Sequence, residues 1–85
     1  MHPVKRTPEV VDAINAAEDA GDYEQAGYLM APGLQQHTGE SFEQMLVVAA
    51  TLDALGYPKP EYELYNKGLI RWAKEQIEQQ NAVKH

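Results

Sequence analysis

Cysteine is absent from this chain. That excludes disulfides, thiolate metal sites and cysteine nucleophiles, and it fits a reducing compartment. Long apolar runs are missing too. The longest, MLVVAA (Met45 to Ala50), is far short of the ~20 residues that a membrane-spanning helix needs. The first ten residues, MHPVKRTPEV, carry charge with no apolar run behind them, unlike a secretory leader. A soluble, cytoplasmic protein with no membrane contact is expected.

The signatures of common chemistries are also lacking. Neither GxxxxGK nor GxGxxG occurs, so no glycine-rich phosphate loop is expected. No GxSxG nucleophile elbow occurs. His2 and His85 lie at the ends of the sequence, which leaves His37 as the one internal histidine. His37-x-x-Glu40-x-x-Glu43 has ligand-type residues at helical spacing, but Gly39 interrupts the run and no second histidine is near in sequence. No metal, no cofactor and no catalytic residue is therefore assigned, and a non-enzymatic protein is expected.

The most informative absence is positive charge. Between Thr7 and Pro58 there are nine acids and not one Lys or Arg. Residues 1–56 hold nine acids and two bases (2 − 9 = −7), residues 57–85 four acids and five bases (5 − 4 = +1), and the sum is the formal net charge of −6. Such a chain repels nucleic acid, whose phosphates require Lys and Arg. It suits a protein partner with a basic surface.

What is present is helical grammar. The 85 residues make one domain, with residues 1–6 expected to be flexible and 82–85 frayed. Thr7 followed by Pro8 is a cap and a first-turn proline, Glu9 lies in the first turn, and Val10, Ile14 and Ala17 recur at helical spacing. Gly21 is a stop, which gives a helix near 8–20. Asp22 with Gln25 forms a capping-box pattern, and Pro32-Gly33 is expected to end or kink that helix, near 23–31. Leu34 to Glu40 reads as a connector with room for a further helical turn. Ser41 with Gln44 repeats the capping box for a helix near 42–55. Phe42, Met45, Ala49 and Leu52 make one stripe, Leu46, Val48 and Leu55 widen it, and Val47 lies near the back; a helix apolar nearly all round is the mark of a buried central one. Asp53 falls inside the apolar wheel. YPKP is a stiff turn, and Pro60 starts a helix near 60–81 with Tyr62, Tyr65, Leu69, Trp72, Ala73 and Ile77 in its stripe. Gly68 within it costs roughly 1 kcal/mol against Ala, so close packing is its expected reason. The expected fold is all-α: about four helices in an antiparallel bundle or two stacked αα-hairpins.

AGDYEQA, Ala20 to Ala26, resembles the inter-helix turn of a tetratricopeptide repeat. In that family a Gly closes the first helix and an Ala packs in the second. The resemblance implies local helix–turn–helix geometry and no function.

These features point to a protein that works by binding another protein, a regulator or inhibitor of the kind that phage and mobile elements encode. A homo-oligomeric structural or assembly subunit is the alternative, and an acidic mimic of nucleic acid a more distant one. The candidate partner-binding residues are Glu9, Asp12, Asp19, Asp22 and Glu24 around the first hairpin, Tyr28 and Tyr57 off the apolar stripes, and Lys67, Arg71 and Lys74 on the last helix.

Overall fold

In the computed structural model, residues 7–56 and 62–83 are described. They form four α-helices: α1 (Pro8–Asp19), α2 (Tyr23–Thr38), α3 (Phe42–Leu55) and α4 (Tyr62–Val83). No strand occurs among the described residues. The YPKP turn with Tyr57 and Pro60, and the ends at 1–6 and 84–85, lie outside them.

The caps act as their residue types dictate. Thr7 accepts from the Val10 N–H and Asp22 from the Gln25 N–H. Ser41 and Gln44 form a complete capping box. Gly21 takes a φ of 76° just after α1, a left-handed turn open to glycine. Ala26, the small residue of the resemblance to the repeat turn, is fully buried.

The expected end of the second helix is corrected. α2 runs through Pro32 and Gly33 to Thr38 and stops at Gly39. A proline inside a helix removes one hydrogen bond and crowds the carbonyl four residues back. Packing outweighs that cost here. The adjacent Ala31 is fully buried with Met45 and Ala73, against Leu46, Leu69 and Trp72. The segment expected as a connector therefore continues the helix through its first five residues, Leu34 to Thr38, and the true connector is Gly39 to Ser41.

The layout is two stacked αα-hairpins. α2 and α4 form the central pair, α1 packs on α2, and α3 packs on α4. Glu24 meets Arg71, and Tyr28 meets Glu75. The partners advance together, so α2 and α4 run in the same direction. Two glycines set their approach. A Cβ on Gly68 would fall within 3.0 Å of the backbone of Glu24 and Tyr28, and one on Gly27 would collide with the backbone of Tyr65. The two backbones thus touch at a point where any side chain would hold them apart. Gly68 has the packing reason expected of it.

The expectation that the third helix is central is corrected too. α3 is a flanking helix, and Val47 and Leu55 on it are 63% and 72% exposed. Its apolar composition exceeds what α4, with Ala31 of α2 beside Met45, covers. The core is built from small residues instead: Ala26, Ala31, Ala49 and Ala73, with Ile14 and Met45.

Candidate functional site

Two of the expected site elements lie on opposite terms with the fold. Glu9, Asp12, Asp19 and Asp22 are exposed on α1 and at the turn that follows it. The residues between them on the outer face, Ala13, Asn15 and Ala16, are short and exposed, so the carboxylates stand clear. None of the four is ion-paired among the described residues. Asp22 alone is engaged, as the cap of α2.

Glu24, Tyr28 and Arg71 are brought together across the central pair. The Arg71 guanidinium donates to Glu24 Oε2 at 2.9 Å and to Gln25 Oε1 at 2.8 Å, and it lies 4.4 Å above the Tyr28 ring. A planar fork with a cationic face satisfies all three partners at once. Tyr28 donates its hydroxyl to Glu75 Oε1 at 2.6 Å, a bond that raises the phenol above its ordinary 10.0. These groups, expected at an interface with another molecule, join α2 to α4 within the chain. The sequence spacing of Arg71 and Glu75 suggests an i,i+4 pair; in the fold each turns to α2 instead.

Lys67 pairs with Glu63 at 3.4 Å, both about half exposed. Lys74 and Glu78 are exposed and form no ion pair among the described residues. Tyr57 lies outside the described residues.

One contact escaped the sequence. Tyr65 donates to Glu18 Oε2, tying α4 to the end of α1. The bond to the Glu18 carboxylate, with burial and the nearby charge, pushes the Tyr65 phenol up to about 12. Tyr23 and Tyr62 flank the Tyr65 ring, with centroids 5.5 and 5.6 Å away. Glu18 follows Ile14 by four residues, which puts it at the edge of the apolar stripe and away from Glu9, Asp12 and Asp19, and that spacing is the signal that marks it as the inward acid. Phe42 and Trp72 meet edge to face at 5.4 Å and fasten α3 to α4.

Two open hollows adjoin the central pair. One, of about 230 Å³, is lined by Leu34, Met45, Val48, Leu52 and Leu69 with Glu40 at its edge. The other, of about 370 Å³, is lined by Met30, Tyr62, Tyr65, Asn66 and Leu69 with Glu18. Asn66 is 6% exposed, and its Nδ2 has no hydrogen-bond partner; nor does the buried Oδ1 of Asp53 on α3. Each orphaned atom costs about 1–3 kcal/mol. His37 and Glu43 are exposed on different helices, and no group of three potential metal ligands forms among the described residues. No described helix is long and apolar enough to cross a membrane.

Comparison with known proteins finds no matching family model, no similar curated protein and no similar solved structure. The functional reading rests on the chain's own surface.

Proposed function

We propose that this is a small non-enzymatic protein that acts by binding another protein through the acidic flank formed by α1 and the turn after it, as a regulator or inhibitor of a target with a basic surface. The observation that carries this reading is a division among the acids. Glu18 and Glu24 are used inside the fold, by Tyr65 and Arg71. Glu9, Asp12, Asp19 and Asp22 are left outward with no counter-charge among the described residues. Surface acids that served solubility alone would do as well interspersed with Lys and Arg. A one-signed face creates a field that steers an oppositely charged partner and raises its rate of encounter.

The test is capture of partners from lysate of the source cell, or of its host, at low and moderate salt, with identification by mass spectrometry. The reading expects one stoichiometric partner whose retention falls as salt rises. Charge reversal at Glu9, Asp12 and Asp19 together should abolish capture while the circular dichroism melt stays in place. Glu24 is left out of that variant because reversing it would break the Arg71 contact. Capture unaffected by the triple reversal would refute the acidic-flank reading.

A further inference from the structure

We infer that the larger hollow, the one that Asn66 lines, is a binding site for a small organic amine with an apolar body and a hydrogen-bond acceptor. Its volume of about 370 Å³ lies within the range of small-molecule sites, roughly 300–1,000 Å³, and the 230 Å³ hollow falls below it. Three elements build it. The end of α1 contributes Glu18, α2 contributes Met30 and Leu34, and α4 contributes Tyr62, Tyr65, Asn66 and Leu69.

Asn66 is the observation that points to a ligand. It is 6% exposed, and its Nδ2 has no partner. Buried amide donors are nearly always satisfied, so one left open calls for an explanation. The fold does not supply it. Asn is a poorer helix former than Leu, and a leucine of similar shape would fill the same place on α4 with no orphaned group. The donor is satisfied when an acceptor, such as a carbonyl or hydroxyl oxygen, enters the hollow. No residue lining the smaller hollow leaves a buried donor open among the described residues.

Glu18 fixes the sign of the ligand's charge. A carboxylate has room for about four hydrogen bonds, and one is used here, by Tyr65. No Lys or Arg lines the hollow, and none pairs with Glu18 among the described residues. An ammonium group is therefore attracted and an anion repelled, the more so in a chain of net charge −6. The Tyr62 and Tyr65 rings add to this preference, because aromatic faces attract cations. Met30, Leu34 and Leu69 supply apolar surface for the body of the ligand, and a methionine adapts to its shape. The site uses none of the outward acids of α1, so it stands apart from the proposed target surface.

Phenylalaninamide carries the three features in one molecule: an ammonium group, an apolar ring and a carbonyl acceptor. Titration of the full chain with it, followed by nitrogen–proton NMR, tests the inference. The backbone signals of Glu18, Met30, Asn66 and Leu69 and the side-chain amide pair of Asn66 should shift saturably. The dissociation constant should be about 1 mM or below, the strength that so small a molecule can supply. Phenethylamine lacks the acceptor and N-acetylphenylalaninamide lacks the charge; each should bind about tenfold more weakly, and 3-phenylpropionate should not bind. Asn66→Leu should weaken phenylalaninamide about tenfold while its circular dichroism melt stays at or above that of the wild type. Glu18→Gln keeps an acceptor for Tyr65 but removes the charge. It should weaken phenylalaninamide about tenfold and leave N-acetylphenylalaninamide unchanged. Four results would each overturn the inference: no saturable shift; shifts confined to Asp12 and Asp19, the mark of attraction to net charge alone; 3-phenylpropionate binding as tightly as the amine; or both variants binding phenylalaninamide as the wild type does.

Discussion

Gly68 on α4 and Gly33 on α2 allow a controlled experiment in which one chemical change has opposite signs at two sites. Gly68→Ala adds a methyl group within 3.0 Å of the backbone of Glu24 and Tyr28. Those atoms belong to a helix main chain and cannot swing aside, so α2 and α4 must separate. Overpacking of this kind costs about 1–3 kcal/mol, and more when backbone must move. Against it stands the ~1 kcal/mol gained by replacing Gly with Ala in a helix. The separation also stretches the Arg71 bonds to Glu24 and Gln25, which span the same two helices. A net loss of about 2 kcal/mol follows, near the middle of the range for a damaging core substitution. Gly33→Ala on α2 is the control. Its Cβ would meet nothing within 4 Å, and its φ is not left-handed, so only the propensity gain of about 0.4–1 kcal/mol operates. For a domain of this size 1 kcal/mol shifts the melting temperature by roughly 4–8 °C. Thermal and urea melts followed by circular dichroism should show Gly68→Ala lower by about 8–16 °C and Gly33→Ala higher by a few degrees. A Gly68→Ala variant as stable as the wild type would refute the close-approach argument, because the propensity term alone predicts a rise.

Tyr65→Phe removes the bond to Glu18 and should cost about 1 kcal/mol. The Tyr65 phenol is raised from 10.0 to about 12 in the fold, so its contribution is fully present below pH 10 and is lost as pH rises through 12. A denaturation series from pH 9 upward should therefore show the wild type losing its advantage over Tyr65→Phe across about pH 10–12, and a constant difference would refute the assignment. Arg71→Lys keeps the charge but loses the fork and the flat face over Tyr28. It should destabilise by about 1 kcal/mol, the modest figure reflecting a pair that is about 40% exposed. A urea melt equal to the wild type would mean that charge alone sufficed.

Helix positions were legible because their signals are local. Thr7-Pro8, Asp22 with Gln25, and Ser41 with Gln44 each satisfy orphan N–H groups within three residues, so no distant contact is needed to read them. The end of α2 was not legible, since Ala31 is held by Met45 and Ala73, one and two helices further along the chain, and that packing carries the chain past Pro32. The place of α3 was misleading for a related reason. Hydrophobicity says that a helix seeks cover but not whether its own chain provides it. The candidate site divided along the same line. The outward acids of α1 could be read from the wheel, whereas the inward turn of Glu24, Tyr28 and Arg71 depends on the direction in which α2 and α4 cross.

Tyr65–Glu18, Arg71–Glu24 and Tyr28–Glu75 each join residues 47 positions apart. A constant separation means that the three contacts close nearly the same loop. Drawing the ends of a 47-residue loop together costs on the order of 3 kcal/mol of chain entropy. The first of the three contacts to form carries nearly all of that cost, and the other two then form between groups already in place. The hairpins can assemble from near neighbours quickly, and Ala31 of α2 with Met45 of α3 begins to join them across a shorter loop. The three polar contacts then share one closure, so these links between the halves are gained or lost together rather than one by one.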